Sequence, residues 1–262
     1  MKRAIVFVTL LMLAACDDPR DSGVFPREEM QMVDLGALVT EDLPVRVWGK
    51  QLADFGFNRP NQFEDIAAFE PTYVVDSYYT LFNHGGPHVD APNHTGSPEN
   101  KGIDAFPLSA FVGDARVLDA SHLPQGSAVP VELVKSAGFN PGEIAILYTG
   151  YIPPAPDGYP VYSVLEPAAA RYLANLPVRA FATDSLSVDS IRYYERRAAE
   201  GSTEYKELLP IHHAFLMSDI LVFEQLKNVG KLTNYENMFF VGVPLNIANG
   251  NGMIVRPVVF VD

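Results

Sequence analysis

With a single cysteine, Cys16, in 262 residues, the chain can form no intrachain disulfide. Positive charge is scarce too: Lys plus Arg number 19 against 32 Asp plus Glu, a formal net charge of −13. A surface that acidic repels a phosphate backbone, and no Lys/Arg cluster offsets it, so nucleic acid is excluded as a partner. Charged residues make up only 19% of the chain, too few for a long disordered or coiled-coil protein. No apolar run reaches the ~20 residues that a membrane-spanning helix takes. What remains is a globular composition, 48% hydrophobic, with chain enough for one large domain.

The N-terminus points to export. Met1-Lys2-Arg3 is a basic start, and Ala4 to Ala15 is an apolar run that ends in small residues, as in a signal peptide. Leu13-Ala14-Ala15-Cys16 resembles a bacterial lipobox. That resemblance implies a signal peptide over residues 1–15, a lipid anchor on Cys16, and a place on the periplasmic side of the membrane. Asp17 after the cysteine implies retention at the inner membrane. Residues 16–31 carry Pro19, Gly23 and Pro26 with little periodicity and read as a flexible tether. From 32 to 262 there is no repeat and no second linker, so one domain is expected.

Strand-like apolar runs are Tyr73 to Val75, Ala115 to Leu118, Ile144 to Tyr148, Val178 to Thr183, Phe239 to Val243 and Ile254 to Val261. Helical spacing is read over Leu165 to Leu176, which stops at Pro177, and over Ser190 to Glu200 behind Asp189 as cap. A short third helix is read over Glu64 to Phe69. Strands interleave with helices, so the class is α/β with a mixed sheet.

Chemistry concentrates in one window. Three of the six histidines lie in His84-Gly85-Gly86-Pro87-His88-Val89-Asp90-Ala91-Pro92-Asn93-His94. The i, i+4 spacing of His84 and His88 suits a helix, but Gly-Gly-Pro between them does not. In an extended segment His88 and Asp90 share a face. A straight run from His84 to His94 would span about 33 Å, too far for one site. The chain must fold back, and Gly85-Gly86-Pro87 and Ala91-Pro92 are where it can. Two imidazoles and a carboxylate presented so make an open metal site with room for water. Far downstream stand His212, His213 and Glu224, weak evidence by themselves.

The window HGGPHVDAPNH resembles the signature of the cyclase family of metal-dependent hydrolases, His-x-Gly-Thr-His-x-Asp-x-Pro-x-His. That family includes bacterial kynurenine formamidases and isatin hydrolases. The resemblance continues through Gly102 to Ser121, Ile146 to Tyr151, Ala182 to Asp189, the His212-x(11)-Glu224 pair and the strand around Val255-Arg256. It implies a swivelling β/β/α fold, a homodimer, and one or two divalent ions, Zn or Mn. His84, His88 and Asp90 would hold the first metal. Asp90 would bridge to a second held by His212 and Glu224, with His213 the other candidate for His212. His94 would be the catalytic proton donor and acceptor. Pro87 stands where the family usually has Thr, removing a hydroxyl and an N–H beside the metal.

The reaction expected is hydrolysis of an amide-type C–N bond, in an aryl formamide or cyclic amide, by a metal-activated water. No Gly-x-Ser-x-Gly elbow occurs and Cys16 is committed to the anchor, which disfavours covalent catalysis. Trp48, Phe55, Phe57, Phe63, Tyr78, Tyr79 and Phe82 crowd the region before the loop, as core or as a pocket for an aromatic small-molecule substrate. The competing class is a non-catalytic periplasmic metal- or ligand-binding lipoprotein on the same fold. A spare histidine beside an open metal position, His94, serves a hydrolase and not a binder. Cys16→Ser should release the protein from membranes or leave it unprocessed. A mutant still lipid-labelled and membrane-bound would contradict the lipobox reading.

Overall fold

The computed structural model describes residues 30–44, 59–69, 74–96, 100–155 and 158–262. Cys16 with its lipobox, the tether up to residue 29, Trp48, Phe55 and Phe57 lie outside the described residues. The strands in chain order begin with β1 (Gln31–Asp34), β2 (Gln62–Phe69), β3 (Val74–Thr80), β4 (His88–Asp90) and β5 (Val112–Asp119). They continue with β6 (Ala128–Val129), β7 (Ile144–Tyr148), β8 (Val164–Leu165), β9 (Ala180–Thr183) and β10 (Leu221–Glu224). Last come β11 (Met238–Val241), β12 (Gly252–Ile254) and β13 (Val258–Val261). The helices are α1 (Val131–Ser136), α2 (Pro167–Asn175), α3 (Ile191–Ala199), α4 (Tyr205–Leu208) and α5 (Pro210–Leu216).

The uninterrupted apolar runs form the middle of one sheet. β5, β7, β9 and β10 pair in parallel, and β7, β9 and β10 are almost wholly buried. Parallel strands need crossovers, and the helices supply them, α1 before β7, α2 before β9, α3 to α5 before β10. Antiparallel strands flank this centre to give a nine-stranded sheet ordered β1-β13-β11-β5-β7-β9-β10-β4-β12. The class is a mixed α/β single domain.

Alternation along the strands divides the core in two. Ala145, Leu147, Phe181 and Val222 pack against Val134, Leu173, Ile211 and Phe215 of the helices. Ile144, Ile146, Ala182 and Phe223 face the other way. They meet Val89 from near one end of the sheet and Val259 and Val261 from near the other. Strands so far apart in the order can share a cluster only if the sheet curls around it. Phe223 and Phe240 cross that interior edge to face, with centroids 4.9 Å apart.

Several expectations are corrected. Glu64 to Phe69 is strand, part of β2, paired with β3 in a separate two-stranded ribbon. Six residues cannot repay helix nucleation, whereas cross-strand pairing puts Phe63 against Tyr79 at 5.4 Å. The run Ile254 to Val261 is two strands, because Pro257 has no N–H for the ladder. Its halves pair with β4 and with β11. Asp189 does not cap α3. Ser190 does, accepting from the Tyr193 N–H at 3.4 Å. β1 begins at Gln31, taking in the last residue of the expected tether.

Phe223 is fully buried between the layers, one residue before Glu224. Phe223→Ala should lower stability by about 3–5 kcal/mol, the cost of emptying an aromatic core site. Urea unfolding reads the loss, and a change under about 1 kcal/mol would contradict the curled-core packing.

Candidate metal centre

The histidine loop folds back at both breakers. Before β4, the Gly85 N–H closes a turn on the Phe82 carbonyl, and Gly86 adopts φ +109, a left-handed conformation that favours glycine. After β4, a 3-10 turn over Pro92–Thr95 is set by His94 N–H donating to the Ala91 carbonyl. The ends come together: the rings of His84 and His94 stack with centroids 4.4 Å apart.

β4 is clamped between two strands, and the register selects what faces it. Glu224 lies opposite His88 and Gly252 opposite Asp90. Antiparallel partners project to the same side, so Glu224 joins the His88/Asp90 face while Val89 turns into the core. Gly252 has to be small, because a Cβ there would lie 2.5 Å from His84 Nε2. His212 arrives from α5, whose buried residues Ile211, His212, Phe215 and Leu216 recur at helical spacing. The structure turns His212 into the site. His213 instead neighbours the Tyr205 ring.

All five expected ligands converge. His84 Nε2 lies 3.0 Å and His88 Nε2 3.3 Å from Asp90 Oδ1. His212 Nε2 is 3.6 Å from Asp90 Oδ2 and 3.3 Å from Glu224 Oε1, and Glu224 Oε2 is 3.5 Å from His88 Nε2. Asp90 is completely buried, yet neither of its oxygens makes a hydrogen bond, nor does His88 Nε2. Such groups are costly unless a cation completes them.

The outer nitrogens explain the aim of the inner ones. His88 Nδ1 donates to the Gly86 carbonyl at 2.8 Å, and His212 Nδ1 to Asp189 Oδ2 at 2.8 Å. These bonds use Nδ1 and turn Nε2 inward, the nitrogen that would bind a metal once it carries no proton. Imidazole and carboxylate donors in this arrangement fit a divalent ion such as zinc or manganese. Donor atoms of His84, His88 and Asp90 lie within 4.8 Å of one another, and so do those of Asp90, His94 and His212. The second grouping places His94 at the rim of the same centre, its ring 5.6 Å from that of His212.

Electrostatics follow from burial and crowding. Burial raises the Asp90 carboxyl, but the surrounding histidines outweigh it and hold the group well below the usual range. Burial lowers His88 and His212. Asp90 and Glu224 reverse this for His88, and Tyr205, Asp189, Asp90 and Glu224 lift His212 well above an ordinary histidine. His94 goes the other way: burial brings it to about 3 against the pull of Asp90, so it is neutral at pH 7.

The centre lies in a cavity of about 430 Å³. Phe82, Ile191, Tyr194 and Leu209 supply its apolar wall. Of the described aromatics before the loop, only Phe82 lines it. Phe63, Tyr78 and Tyr79 are exposed on the β2–β3 ribbon.

Sequence reasoning gave no role at the site to the residues that hold the ligands, and read Asp189 only as a helix cap. Asp189 accepts from the backbone N–H groups of Ile211 and His212 as well as from His212 Nδ1. Val188 N–H and the Ser187 hydroxyl fix Glu224 Oε1. Asn83 Oδ1 receives His84 Nδ1 at 2.9 Å. The stretch Ala182 to Asp189 stood out in the sequence, without any pointer to His212.

The family model described as "Putative cyclase" matches residues 33–190. A kynurenine formamidase of Salinibacter ruber is 30% identical over 184 residues, 68% of this chain and 76% of that protein. Among solved structures, isatin hydrolase A of Labrenzia aggregata, bound to benzyl benzoate, superposes with a TM-score of 0.71. It is 22% identical, over 88% of this chain and 94% of the other. An isatin hydrolase bound to the product analogue thioisatinate gives a TM-score of 0.70 at 19% identity, covering 89% and 93%. Both share the fold.

Metal added to the metal-free protein should release protons, because His212, held above its ordinary value, must be deprotonated to bind. Calorimetric heats compared across buffers of different ionisation enthalpy read that release. His88→Ala and Asp90→Ala should each lose tight binding. Wild-type affinity in either mutant would contradict the ligand set.

Proposed function

Because this chain belongs to the cyclase family, we propose that it is a metal-dependent hydrolase of non-peptide C–N bonds, acting on an aryl formamide or a cyclic amide. One observation carries the reading: a buried Asp90 carboxylate without hydrogen bonds, ringed by inward-facing imidazoles. His84, His88 and Asp90 would hold one divalent ion, and Asp90, His212 and Glu224 a second. Such an ion supplies a water acidified to a pKa of roughly 7 and a Lewis acid for a carbonyl.

The protein's own residues do the rest. His94, at the rim with its donor atom beside those of Asp90 and His212, would accept the proton of the attacking water and return it to the leaving nitrogen. Phe82, Ile191, Tyr194 and Leu209 present an apolar surface to an aryl group and keep water from the scissile bond. Pro87 offers no N–H or hydroxyl to the substrate, and its carbonyl is taken by the Val255 N–H at 2.9 Å. Substrate orientation therefore rests on the cavity wall. The names of the relatives, kynurenine formamidase and isatin hydrolase, support an aryl amide. The lipobox supports anchoring at Cys16 on the periplasmic side.

The test is metal content and hydrolysis rate on one preparation, screened with aryl formamides and cyclic amides. His94→Ala should retain most of the metal and lose roughly 10²–10⁴-fold in turnover. Full activity in that mutant would remove His94 from the proton-transfer role. A wild type that holds metal and hydrolyses none of these compounds would overturn the reading.

A further inference from the structure

We infer that Gln225 is a positioning residue for the metal centre, its side-chain amide tying the loop of His84 and His88 to the strand end that carries Glu224. The inference rests on the metal-dependent reading above. Gln225 is 1% exposed and adopts φ +63, the left-handed region that a non-glycine residue seldom occupies. A continued strand would send position 225 to the face opposite Glu224. The left-handed backbone breaks that alternation and brings the amide against the histidine loop.

Its bonds reach two segments, residues 84–86 and residues 185–186. Oε1 accepts from the Gly86 N–H at 2.9 Å, and Nε2 donates to the carbonyls of Leu186 at 3.1 Å and His84 at 3.3 Å. Its own backbone N–H donates to Ser185. Each segment aims a ligand. Gly86, held through its N–H, gives its carbonyl to His88 Nδ1. Leu186 directly precedes Ser187 and Val188, which fix Glu224, and Asp189, which fixes His212. An apolar side chain at 225 would leave the Gly86 N–H and the Leu186 carbonyl without this buried partner. The strained backbone is retained where one amide sets the spacing between ligands.

Gln225→Gly separates backbone from side chain, since glycine takes φ +63 without strain and only the amide is lost. The metal-free variant should still fold but melt below wild type, since the Gly86 N–H and the Leu186 carbonyl lose their partner. It should bind Co²⁺ about 10–100-fold more weakly, with shifted d–d absorption bands. A structural role alone would lower the melting temperature and leave the spectrum unchanged. Wild-type Co²⁺ affinity and spectrum in the variant would overturn the inference. A wild type that takes up no Co²⁺ would instead overturn the metal-dependent reading itself. Amide exchange in the metal-free wild type is independent of how the variant folds. The Gly86 N–H should exchange slowly, and exchange as fast as the exposed loop residues would also overturn the clamp.

Discussion

A carboxylate wholly withdrawn from water, with no hydrogen bond of its own, is the constraint around which this structure is arranged. Asp90 ends β4, the middle strand of the β10-β4-β12 edge, and a buried anion there is tolerable only if positive charge meets it. The imidazoles would provide the coordination and, in the metal-free state, part of the compensating charge. Their outer nitrogens are occupied by a carbonyl, an amide oxygen and a carboxylate, so their inner nitrogens all turn towards one point.

That arrangement depends on register more than on the loop. A one-residue slip of β4 against β10 would move His88 and Asp90 into the core and Val89 into the site. The slip is opposed from both faces, by Val89 packed with Phe223 on one side and by Gly252 admitting His84 on the other. Hydrophobic packing therefore enforces the geometry of a polar centre, though no apolar side chain of that cluster coordinates anything.

Strain and small residues accumulate where backbone passes close to the ligands. Gly86 and Gln225 both hold positive φ and are joined by a hydrogen bond, and Gly252 leaves space that a methyl group would take from a histidine. The wall of the cavity comes from different elements, the α3 region, Leu209 and the chain before the loop. Coordination and substrate fit would thus fall to different side chains, which lets one change while the other is kept.

The sequence by itself determined the inner strands, the helix over Pro167–Asn175, the two folding points of the histidine loop and the residues gathered there. These are local: β-branched runs, a terminal proline and glycine-proline breakers act over a few residues. The step from His212 to Glu224 favoured His212 over His213, and the tertiary structure turned it inward, because that depends on how α5 rests on the sheet. The tertiary structure alone decided that Glu64 to Phe69 pairs as strand, that Asp189 serves a helix more than twenty residues on, and that Gln225 reaches back to Gly86. Each of these joins residues distant in the chain, and side-chain periodicity holds no information about such partners until the sheet has brought them together.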